Sequence, residues 1–121
     1  MEPMEIWKQF SFEAAHLLPH LPDDHKCKRL HGHSYRVRIH VEGDLDPDLG
    51  WVMDFDDIRT AFEPILAQLD HTYLNDIPGL ENPTAENIAR WIWTRLAPRL
   101  SILSKVEVSE TCTAGCVYSG D

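Results

Sequence analysis

The stretch HGHSYRVRIHVEG, residues 31–43, decides the fold because its side chains alternate in character along the chain. A period of two is typical of a β-strand with one buried face. On one side Arg36, Arg38 and His40 predict a polar face. The other side is predicted to face the core and consists of His31, His33, Tyr35, Val37, Ile39 and Val41.

A second alternating segment lies upstream, from Ile6 to His16. Its apolar side chains share one parity with His16, and only Lys8 interrupts them. If the two segments pair as an antiparallel hairpin, His16 meets His31 and His33 at the mouth of that hairpin. Three imidazoles suit zinc and leave one position open for water or substrate, as in catalytic zinc sites. We therefore predict one zinc ion per chain, bound by His16, His31 and His33.

The connection between the two strands, residues 17–30, is long for a hairpin, and long ordered loops tend to be functional. It carries a basic cluster, His25-Lys26-Cys27-Lys28-Arg29, in an acidic protein. This cluster is either a solvated loop or a seat for an anionic substrate. Its positive charges favour a reactive thiol, so Cys27 is a candidate nucleophile or general base, although a cysteine is often only a small buried apolar residue.

The rest of the chain predicts two helices and two further strands. Asp54 can cap a helix from Phe55 to Leu69, bent at Pro64, and Thr84 can cap a second helix that ends near Leu96. The first helix has an inward stripe of Phe55, Ile58, Phe62, Ile65, Leu66 and Leu69, and the second of Ile88, Trp91, Ile92 and Leu96. Val106, Val108, Glu110 and Cys112 share a strand face, and Cys116-Val117-Tyr118 returns after a turn at 113–115.

This order of elements predicts an α+β fold. It is a ββααββ domain in which a four-stranded antiparallel sheet carries two helices on one face. The sheet has free edges, which natural proteins usually cover. We therefore predict a homo-oligomer in which the sheets of neighbouring subunits join.

The composition limits the function classes. The chain has 121 residues, which is enough for a single domain over 1–121, and a net charge of −9, which argues against nucleic acid as a partner. No apolar run approaches the roughly 18 residues of a membrane span. The acidic N-terminus lacks the features of a signal peptide, so we expect a cytoplasmic location. Three cysteines do not suggest a disulfide framework, and Cys112 and Cys116 either face each other across a turn or are two reduced structural thiols.

Two further groups of residues are candidates for catalysis or ligand binding. Asp70-His71 follows the first helix, and a carboxylate that orients an imidazole next to a thiol is a known unit for proton transfer. The alternative is a helix C-terminal histidine beside a surface aspartate. Glu110 lies on an apolar strand face, where it binds either a ligand with two adjacent N–H donors or a salt-bridge partner. Glu13 and Glu86 look like solvated or capping residues.

Motifs spread over nearly the whole chain resemble the 6-pyruvoyltetrahydropterin synthase superfamily, and most closely its bacterial 6-carboxytetrahydropterin synthase branch of queuosine biosynthesis. The three-residue gap between Cys27 and the His31-Gly32-His33 pair is similar to that branch. The matching segments are residues 10–16 (FSFEAAH), 27–33 (CKRLHGH), 50–55 (GWVMDF), 69–71 (LDH), 73–75 (YLN), 81–84 (ENPT) and 110–111 (ET).

The resemblance implies a tunnelling fold, in which sheets join into a barrel, usually as a trimer stacked into a hexamer with active sites between subunits. It implies zinc on His16, His31 and His33, Cys27 as the proton-transferring base with Asp70 and His71 as its relay, and Glu110 as the anchor of a pterin ring. The implied substrate is 7,8-dihydroneopterin triphosphate, which would lose triphosphate and acetaldehyde. The candidate substrate-binding residues are Glu110, Thr84, Lys26, Lys28 and Arg29.

Two other functions stay open. A 6-pyruvoyltetrahydropterin synthase would act on the same substrate but release no acetaldehyde. A structural zinc protein without catalysis would close the metal site with a fourth protein ligand, for which Cys27 is the obvious candidate.

Overall fold

Two long strands form the centre of the fold and pair antiparallel, as the alternation predicts. The computed structural model describes residues 2–120. The strands are β1 (Pro3–His16), β2 (His31–Asp44), β3 (Thr72–Tyr73), β4 (Leu103–Thr111) and β5 (Ala114–Tyr118), and the helices are α1 (Phe55–Leu69) and α2 (Ala85–Leu96). Short 3₁₀ turns cover Lys26–Lys28, Leu74–Asp76 and Ala97–Arg99.

The sheet has the strand order β3-β1-β2-β4-β5. The four long strands run antiparallel, whereas β3 adds two residues in parallel beside the end of β1. The α+β prediction is confirmed, and β3 is the one strand that the sequence pattern did not predict. Two residues are too few to show a period of two.

Both helices lie on the inner face of the sheet. Asp54 caps α1 by accepting a hydrogen bond from the N–H of Asp56, and Thr84 caps α2 by accepting one from the N–H of Asn87. The buried side chains of α1 are Ile58, Phe62, Ile65 and Leu69, and those of α2 are Ile88, Ala89, Trp91, Ile92 and Leu96. They pack on Val37, Ile39, Val41, Val106 and Val108 of the sheet.

Three sequence-based assignments were wrong in detail. Phe55 was expected to face inward, but its side chain is 52% exposed, because the first residue of α1 lies beyond the edge of the core. Cys112 was expected to continue the inner face of β4, but β4 ends at Thr111 and Cys112 is exposed. The turn before β5 falls at residues 112–113, ahead of the 113–115 turn that was expected.

The outer face of the sheet is polar, as Arg36 and Arg38 predict, but it contains one buried residue. His40 is only 7% exposed and lies between the carboxylates of Glu5 and Glu107. No described helix is long and apolar enough to cross a lipid bilayer.

Candidate metal centre and ligand cleft

The three predicted imidazoles meet at one end of the β1–β2 hairpin. The strand register pairs His16 with His31, and Ala14 with His33. All three rings contact one another edge-on, with centroids 4.5–5.1 Å apart. One nitrogen from each ring lies within 4.8 Å of the other two, so the group can hold a metal ion. The prediction that these side chains converge is confirmed.

Backbone carbonyls fix the tautomers of two of these rings. The Nδ1–H of His16 donates to the carbonyl oxygen of Pro83 at 2.8 Å, and that of His31 donates to Arg29 at 2.7 Å. A neutral imidazole with a protonated Nδ1 presents a free lone pair on Nε2. Outer contacts of this kind are typical of histidines that bind metals.

The Nε2 atoms of His16 and His33 are buried without a hydrogen-bond partner among the described residues. An unpaired buried nitrogen costs free energy unless a ligand satisfies it. Burial is the largest influence on the pKa of His16 and lowers it, against the opposing effects of the Pro83 carbonyl and Glu110. A lowered pKa favours the neutral imidazole, which is the form that binds a metal ion.

Asn75 fixes the chain directly after His16, although the sequence reading assigned it no role. Its side-chain oxygen accepts from the N–H of Leu17 at 3.0 Å, and its amide donates to the carbonyl of the same residue at 2.9 Å. A residue that only clamps backbone leaves no pattern in the sequence beyond its place in the matched segment 73–75.

Cys27 lies in the loop that crosses this end of the hairpin. Its carbonyl accepts a hydrogen bond from the N–H of Leu18 at 2.8 Å, and its own N–H donates to Nδ1 of His25 at 3.0 Å. The half-buried thiol is free and is not part of the metal-binding group of the described residues. The hydrogen bond to Leu18 thus holds Cys27 beside the second residue after the end of β1. Its sulfur is not part of the metal-binding group.

The basic residues of the loop differ in their contacts. The ammonium of Lys28 donates to the carbonyls of Pro19 and Leu21 at 2.7 and 3.4 Å and lies 3.5 Å from Asp23, so it helps to hold the loop together. Lys26 and Arg29 are exposed. The prediction that these three residues bind an anionic substrate stays a prediction.

Glu110 lies beside the metal-binding group and faces a cleft of about 410 Å³. Its carboxylate is 3.8 Å from Nε2 of His33, which is too long for a hydrogen bond. Thr84 also lines this cleft, but its hydroxyl is already used to cap α2. The other lining residues are Leu18, Ala85, Glu86, Thr111, Ala114, Gly115 and Cys116. The cleft is therefore a candidate ligand site with two carboxylates in its lining, those of Glu110 and Glu86.

Cys116 forms part of the wall of this cleft. The register places it opposite Val108, and burial followed by the charge of Glu86 raises the pKa of its thiol. All three cysteines are free.

Asp70 and His71 contact each other, and His71 adopts a left-handed backbone conformation (φ 59°). Nδ1 of His71 is 3.0 Å from the Asp70 carboxylate. The other Asp70 oxygen accepts from the N–H of Glu13 at 3.0 Å, and this bond, followed by that to His71, lowers the pKa of Asp70.

The Asp70–His71 pair is not part of the metal-binding group of the described residues. His71 is exposed and lines a shallow cleft together with Glu13, Ala15 and Ser34 of the outer face and with His33, one of the three imidazole residues. His16, His31 and His33 lie on the inner face. Glu13 accepts a hydrogen bond from Ser34 at 2.7 Å.

A third cleft, of about 480 Å³, lies beside α2 and contains Arg90, Trp91 and Arg95. It is somewhat larger than the cleft at Glu110, but its lining includes none of the three imidazoles, Cys27 or Glu110. Size alone does not identify a functional site, and the chemistry favours the cleft at Glu110.

Comparison with known proteins gives a consistent result. Residues 5–121 match the family described as 6-pyruvoyl tetrahydropterin synthase. A Synechocystis protein named 6-carboxy-5,6,7,8-tetrahydropterin synthase is 48% identical over 93% of this chain and 91% of its own length. Human 6-pyruvoyl tetrahydrobiopterin synthase is 35% identical over 97% of this chain and 92% of its own length. The structure of Caenorhabditis elegans 6-pyruvoyl tetrahydropterin synthase superposes with a TM-score of 0.91 at 28% identity, covering 100% of this chain and 98% of that one.

Proposed function

The chain belongs to the 6-pyruvoyl tetrahydropterin synthase family, and on that premise we propose that it is a zinc-dependent lyase. It converts 7,8-dihydroneopterin triphosphate and one molecule of water into 6-carboxy-5,6,7,8-tetrahydropterin and releases acetaldehyde and triphosphate, in queuosine biosynthesis. The observation that carries the proposal is the set of three imidazoles whose ligand atoms lie within 4.8 Å of one another.

The donor set fits zinc. His16, His31 and His33 would hold the ion through neutral nitrogens, and no described carboxylate or thiol completes the group. Three protein ligands leave a position for a substrate oxygen, and zinc so placed acts as a Lewis acid on the hydroxyl groups of the side chain that is cleaved.

The protein's own groups supply binding and proton transfer in this proposal. Glu110 accepts hydrogen bonds from two adjacent N–H groups at the edge of the pterin ring, which orients the ring in the cleft. Cys27, close to the hairpin end but off the metal group, removes and returns the protons that shift along the side chain. Lys26, Lys28 and Arg29 supply positive charge for the triphosphate.

The position of Asp70 and His71 supports an active site between subunits. Within one chain the pair lies outside the metal-binding group and the His71 side chain is exposed, so we propose that it serves as the proton relay for the Cys27 of a neighbouring subunit. The free edges support the same assembly. Val117 on the outer strand β5 is 57% exposed, and Trp7 on β1, beyond the short cover of β3, is 47% exposed. Joining these edges gives the predicted trimer or hexamer. Light scattering coupled to size-exclusion chromatography tests this oligomeric state.

Product analysis tests the reaction directly. Purified protein incubated with 7,8-dihydroneopterin triphosphate should release acetaldehyde and triphosphate in equal amounts, together with the 6-carboxy product. Release of triphosphate without acetaldehyde would favour the second candidate, 6-pyruvoyltetrahydropterin synthesis, which the 35% identity to the human enzyme keeps in consideration. Release of neither would contradict both reactions. The cytoplasmic location stays a prediction.

A further inference from the structure

Tyr35 carries an unexplained polar group next to the site. The residue has no exposed surface, and its hydroxyl has no hydrogen-bond partner among the described residues. Buried hydroxyl groups in native proteins are nearly always paired, so an unpaired one calls for a partner that the isolated chain does not supply. The alternation along β2 predicts only that Tyr35 faces the core.

Tyr35 and Glu110 lie directly beyond the last pair of the β2–β4 ladder. That pair is Arg36–Ser109, so Tyr35 and Glu110 are the next residues of the two neighbouring strands. Burial raises the pKa of the Tyr35 hydroxyl, and the charge of Glu110 raises it further, as expected for neighbouring groups. The ion-pair contact of Glu110 among the described residues is with Nε2 of His33 at 3.8 Å, which is too long for a hydrogen bond.

The ring of Tyr35 is held rigidly on all sides. It stacks on Phe12 with centroids 4.8 Å apart and planes at 8°, and it meets His16 and His33 edge-on at 5.7 and 5.5 Å. A hydroxyl on so fixed a ring is preorganised, and a hydrogen bond to it costs little additional ordering.

We propose that Tyr35 is a positioning residue for Glu110. When a pterin ring occupies the cleft, the Tyr35 hydroxyl donates a hydrogen bond to the Glu110 carboxylate and holds it in the orientation that accepts the two N–H groups of the ring. The inference rests on the proposed role of Glu110 as the ring anchor. It assigns Tyr35 no contact with the ring itself.

A double-mutant cycle on pterin binding tests this role. Pterin, the unsubstituted ring, is titrated by its fluorescence against the native protein, Tyr35→Phe, Glu110→Gln and the double variant. We expect Tyr35→Phe to weaken binding about tenfold in the native background, the usual size for one hydrogen bond to a charged group, and less than about twofold in the Glu110→Gln background. Tyr118→Phe, which removes a hydroxyl from the far end of the same sheet, should change nothing.

Several results would overturn the proposal. The first is a pterin affinity of Tyr35→Phe within about twofold of the native value, and the second is an equal loss of affinity in both backgrounds. The third is a lower melting temperature of Tyr35→Phe, because it would mean that the hydroxyl has a partner within the chain. If Glu110→Gln binds too weakly to titrate, a crystal structure of the pterin complex decides. A Tyr35 hydroxyl within about 3 Å of the Glu110 carboxylate supports the proposal, and one beyond about 3.5 Å contradicts it.

The failure of this inference can be distinguished from failure of the proposed reaction. Pterin binding requires no turnover, so an intact cycle in a protein that does not convert dihydroneopterin triphosphate would contradict only the reaction. A normal reaction with no coupling between Tyr35 and Glu110 would contradict only the positioning role. Native protein that binds no pterin would contradict both.

Discussion

His16 and His40 are both buried on the β1–β2 hairpin, but on opposite faces and in opposite surroundings. Nε2 of His40 is 2.8 Å from the carboxylate of Glu107, and its Nδ1 is 3.3 Å from Glu5, although without an aligned hydrogen bond. His16 has only the carbonyl of Pro83, and its second nitrogen faces two other imidazoles. Burial alone therefore does not identify a metal ligand. The surroundings of the ring do, because a nitrogen of His16 lies within 4.8 Å of a nitrogen of both His31 and His33, whereas the second nitrogen of His40 lies 3.3 Å from a carboxylate.

The largest expected effect separates these two histidines by metal content. His16→Ala removes one of three ligands, and zinc affinity should fall by at least about 100-fold, because loss of even an outer partner of a ligand costs 10–100-fold. His40→Ala should keep its zinc, because His40 lies on the other face of the sheet. Metal analysis after dialysis against a weak chelator measures both. Equal zinc loss in the two variants would remove the distinction.

The next effect separates metal binding from proton transfer. Cys27→Ala should lower kcat by about 10²–10⁴-fold, the range for loss of a general base, while the zinc content stays that of the native protein. Cys112→Ala, at an exposed cysteine of the turn before β5, is the matched control and should keep full activity. Loss of zinc from Cys27→Ala would make the thiol a ligand and favour a structural zinc site.

A smaller effect concerns stability on the His40 side. His40→Leu leaves the carboxylates of Glu5 and Glu107 without their shared partner, and we expect the free energy of unfolding to fall by about 1–3 kcal/mol. Urea unfolding of the zinc-loaded protein measures this value. The control is Glu107→Gln, which keeps a hydrogen-bond acceptor and should lose less. An unchanged unfolding midpoint in His40→Leu would show that the pairing is not a structural contact.

The smallest effect is the pH dependence of the metal-free protein. Because burial lowers the pKa of His16 below its ordinary value of 6.5, the unfolded chain takes up the proton first as pH falls. The stabilisation is therefore present above about pH 6.5 and is lost as pH falls through the folded-state pKa. Urea midpoints at several pH values, with chelator present, should show a steeper acid loss for the native protein than for His16→Asn. Identical pH dependence in the two proteins would contradict the shift.

Period-two alternation was sufficient to predict the two central strands, their pairing and the convergence of His16, His31 and His33. It succeeded because one register fixes which side chains share a face. It could not predict β3, which is too short to show a period, or the left-handed residue His71, which brings an imidazole against the preceding aspartate. Nor could it show that the ammonium of Lys28 donates hydrogen bonds to carbonyls of its own loop, because such contacts depend on the folded path of that loop.

The geometry of the candidate site could also be predicted only in part from the sequence. The alternation put Tyr35 on the inner face, but it does not show whether a buried hydroxyl finds a partner. It gave Asp70 and His71 as neighbours in sequence without showing that their side chains contact each other outside the metal-binding group. That arrangement depends on the hydrogen bonds that attach residues 71–73 to the end of β1.

X-ray absorption at the zinc edge of the zinc-loaded protein tests the central claim most directly. The account predicts a first shell of nitrogen and oxygen only, with three imidazole nitrogens at about 2.0–2.1 Å and an oxygen in the remaining position. A sulfur at about 2.3 Å in that shell would place Cys27 on the metal and contradict the claim.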